Sequence, residues 1–170
     1  SLDAAGAVTG IDRDAAGRSV RQIRYVNALD LSSRRAGLLA GSLAPADLLV
    51  GLTIDMTRDA VSWQVRDNVG QVRYEVAADG SVSERRYDAS GQQVGVISYA
   101  NRIELTAQRR TDLAAGKLSV ATMAGLLANT AQNQNSYVVL DAAGRVRFEV
   151  RRDAEGRGRV IEYGYEGSIR

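Results

Sequence analysis

The chain repeats itself every 74 positions, and this repetition limits the folds that it can adopt. Residues 14–27 recur as residues 88–101 without a gap, and residues 62–76 recur as residues 136–150 at the same spacing. Trp63 aligns with Tyr137 in the second pair, so one aromatic residue replaces another. Units that repeat at a fixed spacing bury much of their apolar surface against their neighbours. The sequence therefore predicts an array of units instead of one globule with a single site.

The repeat divides the chain into four parts. Residues 14–87 and 88–161 are predicted to be repeat units, residues 1–13 the end of a preceding hairpin region, and residues 162–170 the start of the next unit. Near Arg157 the third unit is predicted to carry two extra residues. The chain starts at Ser1 without a methionine, and its ends lack the polar character of capping units. We therefore expect a segment of a longer array.

Composition excludes several classes of function. The chain has 22 basic and 20 acidic residues, a net charge of +2, and neither histidine nor cysteine. Such a balance offers no broad basic surface for nucleic acid, and two adjacent arginines at positions 34–35 and again at 109–110 are typical of a solvated helix face. No run of 18 or more apolar residues is present, so this segment is not expected to span a membrane.

Short turns separate stretches in which apolar and polar residues alternate. Residues 72–76 and 146–150 have the period of two that is typical of strands with one apolar face. An Asp followed three residues later by Gly ends these strands. We expect positive φ or closely packed turn geometry at the turn glycines, Gly17, Gly70, Gly91 and Gly144. Each such turn is predicted to close a hairpin. A looser turn at Asp79 is predicted to join two hairpins, giving about four strands in succession.

Helical spacing replaces the strand pattern after Asn27 and after Asn101. The second of these segments predicts a helix from the N-cap Thr106 to Gly116, then another beginning at Ser119. The equivalent helices are predicted to run from Ser32 to Gly41 and from Pro45 onward. Each pair is predicted to form an αα-hairpin that packs through its leucines. Residues 132–135, which read Gln-Asn-Gln-Asn, are predicted to form a loop.

The turn sequences resemble the YD repeats of the RHS family. The resemblance rests on Tyr87-Asp88 with Gly91, on Asp141 with Gly144, and on the 21-residue spacing from Asp67 to Asp88. Tyr precedes Asp only at Tyr87, and the family does not require helical hairpins. The resemblance implies a long β-sheet spiral or shell in a giant bacterial surface or secreted protein. Together these features predict an α+β repeat array with a 74-residue period, in which antiparallel β-hairpins with YD-type turns alternate with short αα-hairpins.

The residue inventory does not favour an enzyme. Without His or Cys, the usual general bases, nucleophiles and soft metal ligands are missing. Acidic residues lie at turns or alternate with Arg on strands, as in Arg73/Glu75 and Arg147/Glu149, where cross-strand pairing explains them. The spacings of EF-hand loops and calcium-binding β-rolls are absent. We therefore predict no enzyme activity and no catalytic, cofactor-binding or metal site.

The predicted function is structural. The chain is expected to form part of the rod, shaft or filament body of an extracellular or cell-surface bacterial protein, such as an adhesin, and to contact further copies or repeats of itself end to end. The alternative is a wall segment of a toxin-enclosing RHS-type shell, whose apolar faces would line a lumen. Trp63 and Tyr137 are the candidates for anchoring the junctions between units, although burial within a single unit would explain both.

Overall fold

A single antiparallel sheet of nine strands forms the body of the molecule. The computed structural model describes residues 6–53, 55, 57–128, 130–152, 155 and 157–165. The strands lie in the sheet in the order in which they occur in the chain, and short helices make up about 14% of the residues. The predicted α+β repeat array with αα-hairpins is therefore wrong, because the fold is mostly β and the sheet is continuous. Parts of the predicted end segments, residues 1–5 and 166–170, lie outside the described residues.

The elements alternate between runs of strands and two helical insertions. The strands are β1 (Thr9–Arg13), β2 (Ser19–Arg24), β3 (Ala60–Arg66), β4 (Val72–Ala77), β5 (Val82–Tyr87), β6 (Gln93–Ser98), β7 (Gln134–Leu140), β8 (Val146–Arg152) and β9 (Gly158–Glu162). Two short helices follow β2, namely α1 (Arg35–Leu39) and α2 (Pro45–Leu48). Two longer ones follow β6, namely α3 (Ala107–Ala114) and α4 (Val120–Leu126).

Direct strand pairing across each helical insertion makes the sheet continuous. Ile23 of β2 pairs with Val61 of β3, and Ile97 of β6 pairs with Asn135 of β7. The strands before and after the helices therefore share backbone hydrogen bonds. This pairing is the physical reason why separate hairpins do not alternate with helical layers: the chain leaves the sheet to form the helices and returns to it without interrupting the strand pairing.

The Asp-Gly turns form as predicted. In the turn between β5 and β6, Oδ1 of Asp88 accepts hydrogen bonds from the backbone N–H groups of Ser90 and Gln92, both at 2.9 Å. Asp14, Asp67 and Asp141 make the same pair of bonds in their own turns. The glycine of each turn has positive φ, which confirms the prediction for the four turn glycines. Each turn closes a hairpin because it satisfies the backbone locally while reversing the chain.

Two details of the repeat differ from expectation. The turn at Asp79 is tight, since the N–H of Ala77 donates to the carbonyl of Ser81 at 2.9 Å, and it joins β4 directly to β5. The hydroxyl of Tyr87 donates to the carbonyl of Val72, and that of Tyr165 donates to the carbonyl of Val146. Tyr165 thus takes the place of Tyr87 at a spacing of 78, and the third unit carries four extra residues instead of two.

The helix ends were predictable where a side chain caps them. The hydroxyl oxygen of Thr106 accepts from the N–H of Arg109 at the start of α3, and that of Ser119 accepts from the N–H of Thr122 at the start of α4. The first helix begins at Arg35, three residues later than predicted, because Ser32 hydrogen-bonds to Asp30 instead of capping a helix. The loop predicted at 132–135 is correct for Gln132 and Asn133 and wrong for the last two residues, because β7 already begins at Gln134.

The hydrophobic core lies between one face of the sheet and the second helical insertion. Helix α3 contacts β2 and β3, and α4 contacts β4. The core combines sheet residues with residues of the insertion: Ile23, Val61, Trp63, Val65, Tyr74, Val76, Val82, Ile103, Leu113 and Met123. Helices α3 and α4 follow β6 in the chain, but they cover β2, β3 and β4. An insertion of this kind therefore covers the strands that lie two to four places before the strand that it follows.

Candidate interaction surface

Trp63 lies at the contact between the two predicted repeat units. Its side chain is only 1% exposed and belongs to the same core cluster as Leu113 and Met123, which come from the following unit. The indole N–H has no hydrogen-bond partner among the described residues, so the position is held by apolar packing. This arrangement brings together residues that are at least 50 positions apart in the chain.

The equivalent face of β7 and β8 is much more exposed. Val65 on β3 is 3% exposed, whereas its counterpart Val139 on β7 is 51% exposed. Tyr137, the counterpart of Trp63, is only partly buried and lies over Gly95, where an added Cβ would be 2.8 Å from its ring. Phe148 and Val150 on β8 are partly buried as well. These four residues, Tyr137, Val139, Phe148 and Val150, are called the tail face below.

The first helical insertion is more exposed than the second. Leu113 in α3 is 2% exposed, whereas its counterpart Leu38 in α1 is 38% exposed, and the adjacent Leu39 is 80% exposed. No residue of α1 is buried. The insertion nevertheless has internal packing, because a Cβ added at Gly37 would lie against the side chain of Leu43. Helices α1 and α2 are called the head helices below; the side chain of Leu48, predicted to pack here, lies outside the described set.

A buried carboxylate lies at the border of the core. Glu84 on β5 is 4% exposed and accepts a hydrogen bond from the hydroxyl of Tyr99 at 2.5 Å. Nε of Arg86 donates to the same carboxylate at 3.1 Å, and Arg73 approaches it at 3.5 Å. Burial, and then the hydrogen bond to Glu84, raise the pKa of Tyr99 far above its ordinary value. The tyrosine therefore stays protonated at neutral pH and donates to Glu84.

The repeats differ at this carboxylate. Glu162 lies opposite Phe148 as Glu84 lies opposite Tyr74, and Arg147 pairs with it as Arg73 does with Glu84, but the first repeat has no carboxylate here. Gly10 occupies the position equivalent to Glu84, and a Cβ added there would lie 3.3 Å from the ring of Tyr25, the equivalent of Tyr99. The sequence analysis missed the cluster. The sequence does contain a sign of it. Glu84 lies at a core-facing position of the alternating strand, between Val82 and Arg86, where an apolar residue is expected.

The opposite face of the sheet is polar. Ser62, Ser83 and Ser98 lie along a shallow groove on this face with Glu75 and Gln134. Arg73, Glu75 and Arg147 make the predicted bonds to neighbouring strands, but Glu149 forms its ion pair with Arg151 on its own strand, which differs from the prediction. On this face Arg85 pairs with Glu75 at 3.1 Å, whereas the partner of Arg147 at 2.6 Å is Glu162, which lies opposite Phe148 on the other face. Exposed pairs of this kind contribute little stability but keep this face solvated.

Backbone carbonyls accept hydrogen bonds from three arginines of the helical insertions, Arg34, Arg109 and Arg110. Nη2 of Arg34 donates to the carbonyl of Val50 at 2.7 Å, and Nε of Arg110 donates to the carbonyl of Leu105 at 3.1 Å. Arg109 donates to the carbonyl of Glu104. These arginines brace the loops at either end of the helices, which gives them a structural explanation that needs no nucleic acid.

The described part of the chain contains neither a cluster of metal ligands nor a membrane-spanning helix. Among the described residues, no three acidic side chains come close enough together to hold a metal ion. The helices within the described ranges are all too short or too polar to cross a membrane.

Comparison of the chain with protein-family models and with curated proteins found no match.

Proposed function

We propose that this chain is a segment of a structural tandem-repeat protein, forming part of the rod, shaft or filament body of an extracellular or cell-surface bacterial protein. The observation that supports this function is the packing of α3 and α4 on β2, β3 and β4. Because the helices of one repeat cover the strands of the repeat before it, neighbouring repeats complete each other's cores. Units that are incomplete alone are suited to form long linear arrays.

The covered core favours a rod over the wall of a shell. A shell would leave the apolar face of the sheet open to a lumen, whereas Val76 and Met123 are completely buried between sheet and helices. The other face carries serines and ion pairs and is suited to contact water. A sheet with one helix-covered face and one polar face needs no enclosed contents to be stable.

The location and the absence of catalysis are parts of the same proposal. The resemblance of the Asp-Gly turns to YD repeats supports a bacterial surface or secreted protein, and Tyr87 gives that motif a physical role by bonding back to Val72 across the preceding hairpin. The two buried acidic residues are both engaged within the fold: Glu84 accepts from Arg86 and Tyr99, and Asp59 accepts from backbone N–H groups. This engagement supports a structural role for them.

Insertion of whole repeats tests the rod. One or two extra copies of residues 14–87 are inserted after Tyr87, so that each junction reproduces the native step from Tyr87 to Asp88. Each copy adds four strands, and a strand spacing of about 4.8 Å predicts growth of about 19 Å per copy along the sheet. Small-angle X-ray scattering would measure the maximum dimension. Equal increments support a rod, whereas increments that shrink as copies are added would show a closing shell and contradict the proposal.

A further inference from the structure

We infer that the tail face on β7 and β8 is the docking site for the head helices of a second copy of this chain. This inference rests on the proposed function and deepens it, because it names the two surfaces through which separate chains would join. The head helices are α1 and α2, and the tail face comprises Tyr137, Val139, Phe148 and Val150, as defined above.

The internal contact between repeats supplies the template for this docking. The strand residues beneath α3 and α4 are Trp63, Val65, Tyr74 and Val76, and all four are buried. The tail face presents the residues found 74 positions later, and each of them is apolar or aromatic too. The tail face thus preserves the chemistry of a surface that accepts a helical insertion, although within the described chain no helix covers it to the same extent.

The head helices preserve the other half of the contact. Leu38 and Leu43 correspond to Leu113 and Leu118, of which Leu113 is buried and Leu118 packs against the core. The glycines that end α1 and α3 have nearly the same φ, +63° at Gly41 and +64° at Gly116. The two insertions therefore turn in the same way and present leucines at equivalent positions, but only the second insertion meets a sheet within the described chain.

The reach of the helices explains why the two surfaces remain open within one copy. An insertion covers strands that lie two to four places before the strand from which it emerges, and only β1 precedes β2 among the described strands. Among the described residues, therefore, no such platform lies beneath the head helices and no such cover lies over β7 and β8. One copy can supply what another lacks through a head-to-tail contact, and such a contact can extend without closing.

The test uses one positive charge on each surface. Leu39→Lys changes an exposed residue of the head helices, and Val139→Lys changes an exposed residue of the tail face, so neither substitution enters the internal core. Docking would bury an uncompensated charge in either variant. We expect wild-type chains to associate in a concentration-dependent manner in sedimentation velocity, and each variant to associate about a hundredfold more weakly. Val69→Lys, at an exposed turn, is the matched control and should associate like the wild type.

Mixing the two variants is the decisive step. The Leu39→Lys chain keeps an intact tail face and the Val139→Lys chain keeps intact head helices, so an equimolar mixture should form 1:1 dimers and nothing larger. The two lysine-bearing surfaces repel and cannot complete a second contact. Circular dichroism would verify that both variants are folded.

Several outcomes would overturn the inference. A mixture that remains monomeric contradicts it, as does a wild-type chain that is monomeric at every concentration. Association of Leu39→Lys at the wild-type strength, with loss only in Val139→Lys, would instead show tail faces pairing with each other. The repeat-insertion experiment takes place within one chain, so it can succeed when docking fails, and a failure of this inference is distinguishable from a failure of the proposed function.

Discussion

Asp59 and Asn133 occupy equivalent places in the two repeats and close the bases of the two helical insertions. Oδ1 of Asp59 accepts from the backbone N–H of Val26 at 2.8 Å, and Oδ1 of Asn133 accepts from that of Ala100 at 2.9 Å. Both side chains are buried. Each ties the chain just after one strand to the chain just before the next, so the helices leave and re-enter the sheet at a fixed point.

We expect Asp59→Ala to lower the free energy of unfolding by about 2–3 kcal/mol, because it leaves the N–H groups of Val26 and Asp55 without this acceptor in a buried place. Asp59→Asn can keep the bond to Val26, as Asn133 does in the other repeat, and should cost about 1 kcal/mol. Urea denaturation would measure both. Equal losses in the two variants would argue against a hydrogen-bonding role.

The two helical insertions should respond differently to loss of a leucine. Leu113→Ala opens a cavity in the core and should cost about 2–5 kcal/mol. Leu38→Ala, at the equivalent but exposed position, should cost less than about 1 kcal/mol in the isolated chain. Thermal and urea unfolding at a concentration where the chain is monomeric would compare them. Similar losses would mean that the head helices are already packed on a platform within one copy.

Tyr99 should make stability depend on alkaline pH. Its pKa is raised in the folded chain, so its contribution to the free energy of unfolding is complete below about pH 10, the ordinary tyrosine value, and is lost as the pH rises above it. Tyr99→Phe should remove this part of the dependence and lower stability at neutral pH by about 1–2 kcal/mol. Tyr25→Phe is the control, because Gly10 offers its ring no carboxylate. An identical alkaline slope in wild type and Tyr99→Phe would contradict the assignment.

Two glycines with similar φ should tolerate alanine to different extents. Gly17 has a φ of +76° and open space around it, so Gly17→Ala should cost only the backbone strain of about 1 kcal/mol. At Gly80, with a φ of +84°, the added Cβ would overlap the carbonyl oxygen of Ile103. We expect Gly80→Ala to cost about 3 kcal/mol. The difference in urea midpoint between the two variants measures the cost of the contact between the added Cβ and the carbonyl of Ile103. Equal midpoints would show that the backbone at Gly80 moves away from Ile103 at little cost.

Much of the local structure could be predicted from the sequence. The Asp-Gly turns, the strands that they connect and the caps at Thr106 and Ser119 depend on hydrogen bonds between residues two to four positions apart. Such bonds involve only the local order of residue types, which the sequence displays directly. The same order produces the repeat and hence the equivalence of Trp63 with Tyr137.

Only the tertiary structure decided how these pieces combine. The pairing of Ile23 with Val61 across α1 and α2, which made the predicted fold class wrong, joins strands that are far apart in the chain. The burial of Glu84 and the exposure of Val139 likewise depend on which surface a distant helix covers. A repeated sequence specifies equivalent local structures, but burial is set by neighbours in space. Equivalent residues therefore acquire different environments wherever one repeat has a neighbour within the described chain and the other does not.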